Sequence, residues 1–136
     1  IALSSFQNYI NAYPDSKRLA ACNRMVQELQ HKLETKSFEI AKQYYEIGYF
    51  NSAIAAFDNL TSEFLGTSYR EQAFYYKFKA SYQLGVNSTS RKKKQRIKAA
   101  LKAYDKLKRN YPDSKYLAET EKLYRELQKE KNTVTT

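Results

Sequence analysis

The sequence predicts an all-α fold, a solenoid of antiparallel helix pairs with about seven helices. Three observations carry this. Only three Gly and two Pro occur in 136 residues, too few for the turns of a sandwich or barrel. Ala, Leu, Lys, Glu and Gln, all good helix formers, are plentiful. Both prolines lie in the same pentapeptide, at Tyr13-Pro14-Asp15-Ser16-Lys17 and again at Tyr111-Pro112-Asp113-Ser114-Lys115, and a recurring punctuation mark is the signature of stacked repeats.

Aligning the two copies exposes a third site. Leu3, Phe6 and Tyr13 match Ile54, Phe57 and Phe64, and match Leu101, Tyr104 and Tyr111. Each set is the apolar face of a helix, and each is followed by a break. At Phe64 the break reads Leu65-Gly66-Thr67-Ser68. Proline disfavours helical geometry in the residue before it, and Ser16, Ser114 or the adjoining Asp can cap the helix that follows.

The elements follow in order. A partial first helix ends at Tyr13. Residues 16–34 carry Leu19, Cys22, Val26, Leu29 and Leu33 on one stripe. Residues 37–48 carry Ile40, Ala41, Tyr44 and Tyr45 inward and stop at Gly48. Helices follow at 51–64 and at 68–85, the latter closed by Leu84-Gly85. The polar stretch VNSTSRKKKQ reads as an insertion over 86–96. Helices at 96–110 and 114–131 complete the set, the last facing inward with Leu117, Leu123, Tyr124 and Leu127. Residues 1–132 thus form one repeat domain, and 133–136 a frayed tail. The chain opens on Ile1 directly into periodic sequence, so the expectation is a fragment of a longer array.

From Ile40 to Leu65 the spacing is tetratricopeptide-like. Ala41 and Ala53 are small residues that let paired backbones approach, Gly48 turns the chain, Phe50 plugs the turn, and Phe57 and Leu60 fill the core. A second unit runs through Phe74, Phe78, Ile97, Ala100, Tyr104 and Leu107.

The phrases KLETKSFEIAKQYYEIGYFNSAIAAFDNL, EQAFYYKFKASYQLG and AYDKLKRNYPDSKY resemble the BamD (ComL/YfiO) family, from Phe6 to about Leu127. The resemblance implies a lipoprotein on the periplasmic face of the outer membrane, anchored by a lipid-bearing cysteine upstream of Ile1. It implies a scaffold of the β-barrel assembly machine that docks on the periplasmic domains of the barrel-forming subunit, beside accessory lipoproteins, and helps recruit unfolded outer-membrane proteins. The Tyr-Pro-x-Ser break also resembles envelope tetratricopeptide adaptors of the CpoB type; the long helix over 16–34 favours the first reading.

Charge is concentrated. The chain carries +10 net, and residues 91–109 hold ten Lys or Arg against Asp105 alone. Lys94, Lys98, Lys102, Lys106 and Arg109 recur at helical steps as one stripe, opposite Ile97, Ala100, Leu101, Tyr104 and Leu107. Like charges at i, i+4 repel by about 0.2–0.5 kcal/mol per pair, which argues for an acidic protein partner or anionic lipid headgroups; a solvated face and a basic nucleic-acid module are the alternatives. Tyr45, Tyr49, Tyr75 and Tyr76 flank core positions and are candidates for lining a partner groove, with packing against the neighbouring repeat as the alternative.

Other chemistry has little to stand on. His31 is the only histidine and lies off the apolar stripe of its helix. There is no phosphate-binding Gly-rich loop, no metal-ligand spacing, and no nucleophile–base pair to assemble. The expectation is a non-enzyme without cofactor, metal or small-molecule substrate. Cys22 follows Leu19-Ala20-Ala21, imitating a lipobox, but charged and turn residues precede it where an apolar stretch belongs. It reads as a packed helix thiol.

Overall fold

A computed structural model of the chain describes residues 18–134 as five helices. They are α1 (Arg18–Glu46), α2 (Phe50–Glu63), α3 (Arg70–Asn87), α4 (Ser90–Asn110) and α5 (Leu117–Val134). No strand occurs among these residues, and the fold is the tetratricopeptide-like all-α class that the sequence predicts. The expected first helix and the first YPDSK copy lie outside the described residues. Residues 1–36 and 37–136 are separate compact units.

In the first unit, the described part of α1 holds Leu19, Cys22, Val26 and Leu29 half-buried, with Met25 and Leu33 exposed. Gln30 Nε2 donates to the Glu34 carboxylate at 3.3 Å.

In the second unit the helices pack in sequence order, α2 on α3, α3 on α4 and α4 on α5, with α5 also reaching back to α3. Phe38 and Ala41 of α1 join Ala53, Phe57 and Leu60 of α2 and Ala73 and Ala80 of α3 in one core cluster. Phe78, Ile97, Ala100, Ala103, Tyr104 and Leu127 form a second, and Phe74, Tyr75 and Leu107 a third. α3 contributes to all three.

The repeat is visible atom by atom at a step of 47 residues. Ala53 and Ala100, Phe57 and Tyr104, Leu60 and Leu107, Ala73 and Thr120, and Ala80 and Leu127 are buried in register. The break repeats too. Phe64 N–H donates to Leu60 O at 3.0 Å and Tyr111 N–H to Leu107 O at 2.8 Å. Both aromatic residues leave the helix in the same non-helical geometry, φ −122°, ψ 77° at Phe64 and φ −135°, ψ 70° at Tyr111. Then Thr67 Oγ1 accepts from Tyr69 N–H, and Ser114 Oγ from Tyr116 N–H, each at 3.2 Å. The hydroxyl at this position closes a two-residue turn just ahead of the next helix, rather than capping it: the N-cap of α3 is Tyr69, which makes no side-chain cap bond. Leu65-Gly66 performs the same turn without proline.

Four expectations are corrected. The helices read at 16–34 and 37–48 are one helix of 29 residues, α1. The polar run Thr35-Lys36-Ser37 contains neither Gly nor Pro, so nothing forces a break. Ile40 and Tyr44 do not point inward; they are 43% and 36% exposed, and Phe38 takes the core position instead. The polar stretch 86–96 is not a loop: α3 runs through Asn87 and α4 starts at Ser90, so the extra residues lengthen two helices. The last helix, read at 114–131, runs from Leu117 through Val134.

Gly85 also changes role. It lies buried inside α3, and a Cβ there would stand 3.3 Å from Ile97 Cγ1 and 3.5 Å from Ile97 Cα. It is a close-approach residue between α3 and α4 rather than a helix stop. Gly48 does terminate α1, with φ +89°, the left-handed geometry that glycine adopts without strain.

Candidate functional site

Two surfaces carry the side chains that the sequence singles out. The first is a row of aromatic rings running from Phe50 of α2 through Tyr45 of α1 and Tyr76 and Tyr75 of α3 to Tyr116, just ahead of α5. Phe50 meets Tyr45 at 5.7 Å between ring centres, Tyr45 meets Tyr76 at 5.4 Å, Tyr76 meets Tyr75 at 5.0 Å, and Tyr75 stacks on Tyr116 at 4.0 Å. Tyr76 also lies parallel to Phe57 at 5.7 Å. Such ring pairs contribute about 0.5–1.5 kcal/mol beyond the area they bury. The structure thus brings together Tyr45, Tyr75 and Tyr76 and ties them to the core. Tyr75 is buried, Tyr45 and Tyr76 are half-buried, and Tyr49 stands apart, 61% exposed, beside Tyr44. Of the four, Tyr49 offers a partner the most free surface.

A polar cluster closes the far end of the row. The Tyr75 hydroxyl donates to Glu119 at 2.9 Å, Lys79 Nζ donates to the Tyr75 oxygen at 3.2 Å, and Lys79 pairs with Glu119 at 3.0 Å. Lys79 Nζ also sits over the rings of Tyr45 and Tyr75, at 5.8 and 5.2 Å. Burial works against the Lys79 charge, but the bonds to Glu119 and Tyr75 outweigh it and hold the ammonium well above its ordinary range. Burial likewise works against the Glu119 charge, but Lys79 and Tyr75 outweigh it and hold the carboxyl below its ordinary 4.5. Burial is the first cause that raises the Tyr75 phenol.

These shifts set a pH dependence. A depressed carboxyl stabilises the fold above its unfolded pKa and loses that contribution as pH falls through its folded value. A raised ammonium contributes fully below 10.5 and loses the contribution as pH rises through its folded value. The α3–α5 tie should therefore hold from about pH 5 to about pH 10. Glu119 is half exposed, so Glu119→Gln should lower stability at pH 7 by about 1 kcal/mol or less. Urea melts should show that deficit shrinking toward zero on acidification below about pH 4; a deficit unchanged at low pH would deny the charge-based origin.

The second surface is α4. Lys94, Lys98, Lys102, Lys106 and Arg109 are all exposed. They do not share one neighbourhood, however. Lys98 and Lys102 border a shallow depression against α5, with Tyr124 and Gln128. Lys102 and Lys106 border a groove of about 630 Å³ over α3, between α2 and α4. Lys106 Nζ also lies 5.1 Å from the centre of the Phe74 ring. That groove gathers Lys77, Lys92 and Arg96, which the stripe at i, i+4 steps leaves out. Lys92 and Arg96 fall outside the stripe because the side of α4 facing α2 lies roughly 100° round the helix. Lys77 belongs to another helix, and only the fold could bring it there.

The described residues hold no group of three His, Cys, Asp or Glu that could bind a metal ion. No described helix is long and apolar enough to cross a membrane. Cys22 is half-buried and unbridged.

A model of the YfiO family, described as outer membrane lipoprotein, matches residues 1–96. The sequence resemblance extends to about Leu127, whereas this match ends at Arg96, early in α4. No curated protein matches the chain.

Proposed function

Because this chain belongs to the YfiO family of outer membrane lipoproteins, we propose that it is a non-enzymatic scaffold of the outer-membrane β-barrel assembly machine. In this reading it works on the periplasmic face and docks on the periplasmic domains of the barrel-forming subunit, with accessory lipoproteins as further partners. A lipid-bearing cysteine upstream supplies the anchor. The family match carries the reading. Two physical features support it. The helices spend their apolar faces on one another in repeat order, which leaves long side surfaces for partners. The exposed cations of α4, spread over two neighbouring surfaces, give this helix a strongly positive field, which steers and orients an acidic partner surface. The CpoB type of adaptor shares the helix break, and the family match favours the assembly scaffold over it.

The test is binding to the purified periplasmic domains of the barrel-forming subunit. Co-migration on size exclusion is the expected result. Reversing Lys98, Lys102 and Lys106 to Glu should slow association about tenfold or more at low salt, with helicity unchanged and the effect fading as ionic strength rises. Failure of the unaltered chain to bind, combined with tight salt-dependent binding of single-stranded nucleic acid, would replace the scaffold with the basic nucleic-acid module.

A further inference from the structure

We propose that the groove between α2 and α4 is a docking site for a short acidic peptide segment whose carboxylates flank an apolar side chain. This rests on the scaffold reading and names the chemistry of one of its partners. The groove exists because α2 and α4 both pack on α3 without packing on each other among the described residues. Ile54, Leu84, Ala99 and Ala103 give it apolar surface, and Ser81 is the buried polar residue of its lining. Covering these side chains removes apolar surface from water.

The rim decides the sign of the ligand. Lys92, Arg96, Lys102 and Lys106 line it, and none of them makes an ion pair among the described residues. The single carboxylate in the lining, Asp58, is already paired with Lys77 at 2.7 Å. The groove therefore keeps four uncompensated cations around its apolar side chains. Arg96 is held in place there, since its guanidinium donates to Ser88 Oγ at 2.8 Å. From Lys92 to Lys106 the α4 axis advances about 21 Å at 1.5 Å per residue. That length matches six or seven residues of extended chain.

Shape and composition separate the peptide from other anions. A membrane presents a plane, and the apolar lining of a groove is out of its reach; the outward cations Lys98 and Arg109 would serve a lipid surface better. Single-stranded nucleic acid is held by aromatic rings that stack on bases, and no aromatic residue lines this groove.

The experiment titrates the chain into a fluorescein-labelled heptapeptide, DELFLED, at about 0.15 M salt. Parallel titrations use the uncharged analogue NQLFLQN, vesicles containing phosphatidylglycerol, and single-stranded DNA. Two double variants carry identical charge changes: Arg96→Glu with Lys102→Glu in the groove, and Lys98→Glu with Arg109→Glu, neither of which lines it. Saturable peptide binding is expected, weakened at least about tenfold in the groove variant and less than about threefold in the other. The uncharged analogue should bind about tenfold more weakly or not at all. Equal losses in both variants would reduce the groove to a diffuse positive field and overturn the proposal. So would equal binding of the uncharged analogue, or binding of vesicles or DNA with none of the peptide. Circular dichroism of both variants checks that helix content is kept. Co-migration with the barrel subunit's periplasmic domains reads the scaffold separately. A chain that co-migrates but ignores the peptide sinks only the groove, and one that binds the peptide but does not co-migrate sinks only the scaffold.

Discussion

Truncating Phe57 to Ala should lower stability by about 3–5 kcal/mol, the largest loss expected from a single change in this chain. Phe57 is 1% exposed. Its ring meets Phe38 edge-on at 6.0 Å and lies parallel to Tyr76 at 5.7 Å. It thus joins α1, α2 and α3 at one point, and its removal leaves a cavity that three helices cannot all close. The aromatic pair energies are lost as well. Urea denaturation should show the midpoint falling with little change in slope. Lys94→Ala, on the exposed face of α4, should stay within about 0.5 kcal/mol of the parent. Matching midpoints for the two variants would mean that the first repeat does not assemble around Phe57.

The second large effect comes from adding volume. Ala53→Leu should cost about 1–3 kcal/mol through overpacking, because Ala53 is 0% exposed and lies in the cluster with Ala41 and Phe57. Ala55 is two residues along the same helix and exposed. Ala55→Leu should therefore be nearly neutral, with helix propensity almost the same in both cases. The pair isolates packing from propensity. If both substitutions shift the thermal midpoint equally, Ala53 is not a contact residue and the alignment of Ala53 with Ala100 fails with it.

Most of the second unit was legible in the sequence because one device recurs in it. The aromatic at the helix end, the hydroxyl three residues later and the small residue eleven before each have a single physical job. They kept that job at Phe64, Thr67 and Ala53 and at Tyr111, Ser114 and Ala100. α1 was less legible for a definite reason. It carries two apolar stripes about 100° apart, one through Leu33, Ile40 and Tyr44 and one through Phe38, Ala41 and Tyr45. Periodicity alone cannot say which stripe meets α2 and α3. Gly85 misled in the same way, since a glycine that ends a helix and one that admits a neighbouring helix look identical in sequence. The stripe on α4 was readable because all its members share one helix. The groove was not, because it depends on Lys77 of α3 and on a gap between α2 and α4, neither of which has a local signature.

The order of helix packing has a kinetic consequence. Every helix pair in contact within the second unit is adjacent along the chain except α3 with α5, so few contacts require a long loop to close before they form. Low contact order of this kind goes with folding in microseconds to milliseconds. α3 shares an interface with α2, with α4 and with α5, so a chain holding α3 and either sequence neighbour has already gathered much of its nucleus. Stopped-flow refolding in a single phase on that scale is the natural behaviour of such wiring. It leaves the apolar faces around Phe57 and Phe78 open only briefly, which limits the interval in which partly folded copies can aggregate.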